Sequence, residues 1–224
     1  MSFMNYRILS KPSYSLLELE LSEGEEVLAE PGAMVYMKNV ELSPTMRGGL
    51  LGGLKRAMLG GESFLVNRYI SKGKGLLGLA PPYQGDITAI KLSGRIYAQS
   101  GAFLASSPTI NIDIKWGGAK TFFAGEGLFL LRLEGSGDLF LSAFGGIEML
   151  DVDGKLAVDT GHIVAFEDSL DFRVRPVGGL KATLLSGEGL IAEFSGRGRV
   201  WIQTRSISEY IGWISSLLPS RARQ

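Results

Sequence analysis

The chain has 224 residues, 45% of them hydrophobic and 21% charged, so it can bury a core and is not a disordered polymer. Lys plus Arg balance Asp plus Glu at 23 each, which excludes a long-range pull toward nucleic acid or an anionic membrane and leaves only local patches. With no Cys there is no disulfide, thiolate nucleophile or Cys-based metal site, and 31 glycines favour many short strands joined by turns.

Met1 to Ser10 lacks an apolar core region, and no run of 18 apolar residues follows, so neither a secretory signal nor a transmembrane segment is expected. A cytoplasmic location is the expectation. The first strands are then read at Leu19-Glu20-Leu21, at Val27-Leu28-Ala29 and, after Gly32, at Ala33-Met34-Val35. The same order returns at Ile90-Lys91-Leu92, Ile96-Tyr97-Ala98 and, after Gly101, Ala102-Phe103-Leu104. It returns once more at Leu150-Asp151-Val152, Leu156-Ala157-Val158 and, after Gly161, His162-Ile163-Val164. Alternating strands come next at 40–42, 110–114 and 170–174. Gly-Gly-x-Lys then recurs at Gly52, Gly117 and Gly178, and Gly-Glu at Gly61, Gly125 and Gly187, the last three lying 64 and 62 residues apart. Each set closes on a Gly and a strand, at Gly85, Gly137 and Gly198.

These landmarks predict one all-β domain over 1–205, built from three repeats of about 16–86, 87–146 and 147–204. Three units can close about a pseudo-threefold axis and so hide their sheet edges. From Gly-Glu to the closing Gly, the first unit needs 24 residues against 12 and 11. The excess reads as a basic Gly-rich loop at Lys72–Gly78, beside a smaller insertion at Arg47–Leu51. A helix is expected over 206–218, capped by Ser206 or Ser208 and stopped by Pro219, with a tail over 219–224. Its stripe Ile207, Ile211, Ile214, Leu218 is expected to pack on the β domain.

Gly48-Gly49-Leu50-Leu51-Gly52-Gly53-Leu54-Lys55, Gly61-Glu62-Ser63-Phe64 and Gly198-Arg199-Val200-Trp201-Ile202-Gln203-Thr204-Arg205 carry a family likeness. The chain resembles the prokaryotic branch of proteins related to the yeast "altered inheritance of mitochondria" protein 24. The resemblance implies short double-stranded β-helix, barrel-like units, as in the tryptophan RNA-binding attenuation protein, three to a chain. It implies no established activity and no catalytic residues.

Individual motifs carry little chemistry. Gly73-Lys74-Gly75-Leu76-Leu77-Gly78 matches a dinucleotide fingerprint, but Pro81-Pro82 blocks the helix that the motif must open. His162 is the only His, and reads as a strand-surface residue. Asp151, Asp153 and Gly154 lack the ligand ladder of a calcium loop and read as a hairpin turn. Glu62, Glu126 and Glu188 read as turn acceptors. Arg47, Lys55, Arg56, Lys72 and Lys74 are the candidate ligand site, where cations and glycine amides could hold phosphate groups. No cofactor, metal site or catalytic residue is expected. The leading reading is a non-enzymatic binding or scaffold protein. The alternatives are a nucleic-acid or phosphate-ligand binder and a peripheral membrane protein using Trp213, Ile214, Leu217 and Leu218. Partner expectations are a second copy of the chain, a polyanion, or a membrane surface.

Overall fold

The computed structural model describes residues 4–45, 65–114, 129–176 and 190–218. The described residues form thirteen strands and one C-terminal helix, as the composition requires. The strands are β1 (Asn5–Leu9), β2 (Leu16–Leu21), β3 (Glu26–Ala29), β4 (Met34–Thr45), β5 (Val66–Leu79), β6 (Gly85–Gln99) and β7 (Phe103–Ser106). They continue as β8 (Ile110–Ile114), β9 (Leu130–Phe144), β10 (Ile147–Asp159), β11 (Ile163–Glu167), β12 (Leu170–Pro176) and β13 (Leu190–Gln203), and α1 spans Ile207–Leu217.

Alternation is plain in part of the sheet. In β2 the side chains of Leu17, Leu19 and Leu21 are buried while Glu20 faces water, and in β8 Ile110 and Ile112 are buried between exposed Asn111 and Asp113. Three long strands organise the rest, all by antiparallel pairing. β5 takes β2, β3 and β4; β9 takes β6, β7 and β8; β13 takes β10, β11 and β12. Two short ladders link these sets, β3 with β7 and β11 with β6. Each set has its own apolar core, around Tyr69 and Leu77, around Phe103 and Leu141, and around Phe166 and Phe194.

Several turns expected from the sequence are strand interiors. β6 runs through Gly94 and β10 through Gly154 without a break, so Asp153-Gly154 is not a hairpin turn. Gly94 pairs with Gly135 and Gly154 with Gly196, and all four have positive φ, between 110 and 149°. Facing glycines let both strands of a ladder bend sharply together where a Cβ would forbid it.

The basic loop of the first unit is likewise a strand. β5 runs from Val66 to Leu79 and carries Lys72 to Gly78 in ladders with β2 and β4. Its glycines serve close packing: a Cβ on Gly78 would lie 2.5 Å from the Tyr36 ring, and one on Gly75 2.4 Å from Ser71 Oγ. Leu77 faces Met37, Leu139 faces Ser106 and Val200 faces Phe166, so Gly75, like Gly137 and Gly198, lies two residues before such a pair. Gly85 instead opens β6. Gly75 lies 14 residues after Gly61, close to the 12 and 11 of the other two sets.

Candidate binding surface at the C-terminal helix

Helix α1 begins where Ser206 Oγ accepts the Glu209 backbone N–H at 3.4 Å. It ends before Pro219, and Leu218 is already extended with φ −80° and ψ 138°. The cap and the stop are those expected. The packing is not, because α1 has no buried residue. Ile211 and Trp213 are 58 and 59% exposed, and Leu217 and Leu218 both 65%. The helix touches the β domain near its first turns. There the Tyr210 ring lies 5.2 Å from that of Phe144, and His162 Nε2 sits 3.8 Å from a Glu209 carboxylate oxygen. His162 lies in a 3-10 turn, and its Nδ1 donates to the Gln203 carbonyl at 2.7 Å.

Beneath these turns lies a pocket of about 330 Å³, lined by Tyr83, Gln99, Ala102, Gln203, Ile207 and Ile211 among others. Its larger polar groups are already engaged. The Tyr83 hydroxyl donates to the Gly101 carbonyl at 2.7 Å, and Gln99 Nε2 to that of Thr160 at 2.8 Å. Gln203 Nε2 donates to the Gly161 carbonyl while its Oε1 accepts the Phe144 N–H. A pocket whose amides are spent on backbone suits an apolar guest better than a polar substrate.

Two acid–base groups near this end of the domain are shifted. Burial pushes the Tyr83 hydroxyl up to about 12, against the pull of the Ser142 hydrogen bond, and the Glu30 charge adds to the rise. Burial alone pushes the Glu30 carboxyl up to about 7. The folded chain thus holds the Glu30 proton to higher pH than the unfolded chain, whose ordinary value is 4.5. Stability is lost as pH rises from there to about 7, and the penalty is constant above. Since the side chain is partly open to solvent, the penalty is about 1–2 kcal/mol. Glu30→Gln is expected to raise the melting temperature at pH 8 and to leave it nearly unchanged at pH 4.5, as thermal scans at the two pH values would show.

Of the five phosphate-site residues the structure describes two, Lys72 and Lys74, which stand two residues apart in β5. Arg47, Lys55 and Arg56 lie outside the described residues, as do Glu62, Glu126 and Glu188. Lys72 forms an ion pair with Glu41 at 2.6 Å, and the Lys74 carbonyl accepts the Asn39 side-chain amide at 3.0 Å. Among the described residues no group of three or more His, Asp or Glu is placed to hold a metal ion. No described helix is long and apolar enough to cross a membrane.

Residues 6–205, from β1 through β13, match the family model described as mitochondrial biogenesis AIM24. The chain belongs to the AIM24 family. It is 32% identical over 228 residues to an uncharacterised protein of Streptococcus pyogenes serotype M6, covering 97% of this chain and 92% of that one. A crystal structure of a Streptococcus pyogenes protein matches with a TM-score of 0.81 at 31% identity, over 96% of this chain and 100% of the other. These AIM24-family comparisons carry no enzymatic activity. The family match ends at residue 205, so α1 lies beyond the segment that defines the family.

Proposed function

We propose that this AIM24-family protein is a non-enzymatic scaffold of three repeated β units that attaches to a lipid–water interface through α1. The observation that carries the proposal is the apolar face of α1, half-buried at Ile214 but exposed at Ile211, Trp213 and Leu217. Ile207, Tyr210, Ile211, Trp213, Ile214 and Leu217 fall within about 160° of the helix circumference at 3.6 residues per turn. Ser208, Glu209, Gly212, Ser215 and Ser216 occupy the other side. A solvent-exposed apolar stripe of this kind marks an interaction surface, and Tyr and Trp favour the boundary between headgroups and acyl chains. Each large side chain moved out of water contributes about 1.5–3 kcal/mol before ordering costs.

The repeat reading is supported by the three strand sets around β5, β9 and β13 and by their separate cores. It is supported too by register shifts at the same place in each set, between Met34 and Tyr36, Phe103 and Ala105, and Ile163 and Ala165. On this reading the domain comprises units of about 16–84, 85–146 and 147–204, with β6 opening the second.

The polar face of α1 carries one charge, Glu209, and no Lys or Arg. Attachment therefore rests on apolar burial rather than charge and should depend little on salt. Flotation with phosphatidylcholine vesicles tests it. The full chain is expected to float at low and high salt, and the chain ending at Arg205 to remain folded and stay at the bottom. A full chain that stays at the bottom with both zwitterionic and anionic vesicles overturns the reading.

A further inference from the structure

The links between strand sets follow one register. In the first link Leu28 faces Ser106 and Ala29 faces Ala105. In the second Tyr97 faces Phe166 and Ala98 faces Ala165. Counted from Gly32, Gly101 and Gly161, these are the same positions: four and three residues before one glycine, five and four after the next. A third link of this kind would need Ala157 and Val158 of β10 to face Met37 and Tyr36 of β4. Among the described residues it is not made. Among the described strands β10 pairs only with β13, and β4 only with β5.

Burial records the same gap. Leu104 and Val164, three residues after their glycines, sit in the core of the preceding set at 0 and 1% exposure. Val35 holds the same position and is 53% exposed, with Met34 and Met37 open beside it. At the other end Ala157 is exposed, whereas its counterparts Leu28 and Tyr97 are buried. Among the described residues β4 and β10, like β1, β8 and β12, thus pair on one side only, and these two are each shaped like one half of a contact that the chain makes twice internally. Such edges recruit strands.

We propose that β10 of one copy pairs with β4 of a second copy, so that chains join head to tail in the register of the internal links. This rests on the repeat reading above. The Glu30 N–H donates to the Leu104 carbonyl at 2.9 Å in the first link, and the Asp159 N–H would meet the Val35 carbonyl of the next copy in the same way. Val35 enters the third core as Leu104 enters the first. Both ends of every copy are used, so the contact is heterologous and assembly goes beyond a dimer, to a ring or a filament. Each added copy brings another α1, and several helices on one assembly strengthen lipid attachment through avidity.

Two variants, each blocking one end, test the proposal by native mass spectrometry without lipid. Val35→Asp places a charge where the partner core would lie. In Ala157→Pro the lost N–H is, by strand alternation from Asp159, one that faces the free edge rather than β13. Wild type is expected to form species larger than a dimer, each variant alone to be a monomer, and an equal mixture of the two to form a dimer and nothing larger. Ala157→Lys replaces the proline variant if that one fails to fold. A wild type that stays monomeric at every concentration overturns the proposal. So does a variant that dimerises alone, because that means two-fold pairing through one edge, and so does assembly lost only on removal of residues 206–224. Flotation of Val35→Asp separates the two readings, since lost assembly with retained flotation leaves lipid attachment standing.

Discussion

Phe166→Ala is expected to lower the melting temperature by on the order of 10 °C, the largest single effect in the molecule. Phe166 is buried at 1% exposure, and its ring centre lies 4.8 Å from that of Phe172, 5.1 Å from Phe194 and 5.3 Å from Tyr97. Removing it takes away the transfer free energy of the ring and leaves a cavity walled by rigid aromatics that collapse poorly, about 4 kcal/mol together. Each kcal/mol moves the midpoint by about 2–4 °C in a chain of this length. Phe166 also faces Tyr97 across the ladder of β11 and β6, so the loss loosens the third core and its link to the second at once. Phe172, only partly buried at the rim of the same cluster, is expected to cost less than half as much on truncation. Thermal unfolding of the two variants checks both size and order.

Gly85→Ala should follow, at about 3 kcal/mol. A Cβ on Gly85 would lie 1.7 Å from the Ala143 carbonyl oxygen and 2.8 Å from its carbon, both in β9. A flexible side chain could step aside, but a strand backbone held in a ladder cannot do so without breaking bonds. The neighbourhood is tied down as well. The Ser15 N–H donates to the Gly85 carbonyl at 3.0 Å, the Asp86 N–H to that of Gly145 at 2.8 Å, and the Gly145 N–H to that of Gln84 at 3.1 Å. The small gain from a less flexible unfolded chain, about 0.4–1 kcal/mol, does not offset this. Gly73→Ala is the control, because a Cβ there meets nothing within 4 Å, and its midpoint should stay within about 2 °C of wild type.

The sequence made the strand content legible because alternation in segments such as Leu16–Leu21 and Ile110–Ile114 leaves only one face to bury. The cap at Ser206 and the stop before Pro219 were legible for a local reason, since both depend on the nearest few residues. Strand continuity was not. Gly94 and Gly154 look like turn residues, and only their pairing with Gly135 and Gly196 makes them shared bends in long ladders. The Gly-Asp-apolar likeness of Gly85 to Gly137 likewise concealed the matching ladder position of Gly75, because register is a property of two strands rather than one. That error turned a strand into a basic loop, whereas Lys72 and Lys74 both lie within β5. For α1 the apolar stripe was visible, but a stripe does not say whether a partner surface exists within the chain. The exposure of Ile211, Trp213 and Leu217 supplies that answer.

Lipid attachment through α1 is tested most directly by tryptophan emission with Trp116 and Trp201 replaced by Phe, so that Trp213 reports alone. Its side chain is 59% exposed, and its emission should be that of an indole in water until phosphatidylcholine vesicles are added. Insertion of the apolar face is expected to shift the emission to shorter wavelength and to make it quenchable by brominated acyl chains. An emission that stays unshifted and unquenched while the protein floats with the same vesicles would contradict the account, since attachment would then run through another surface.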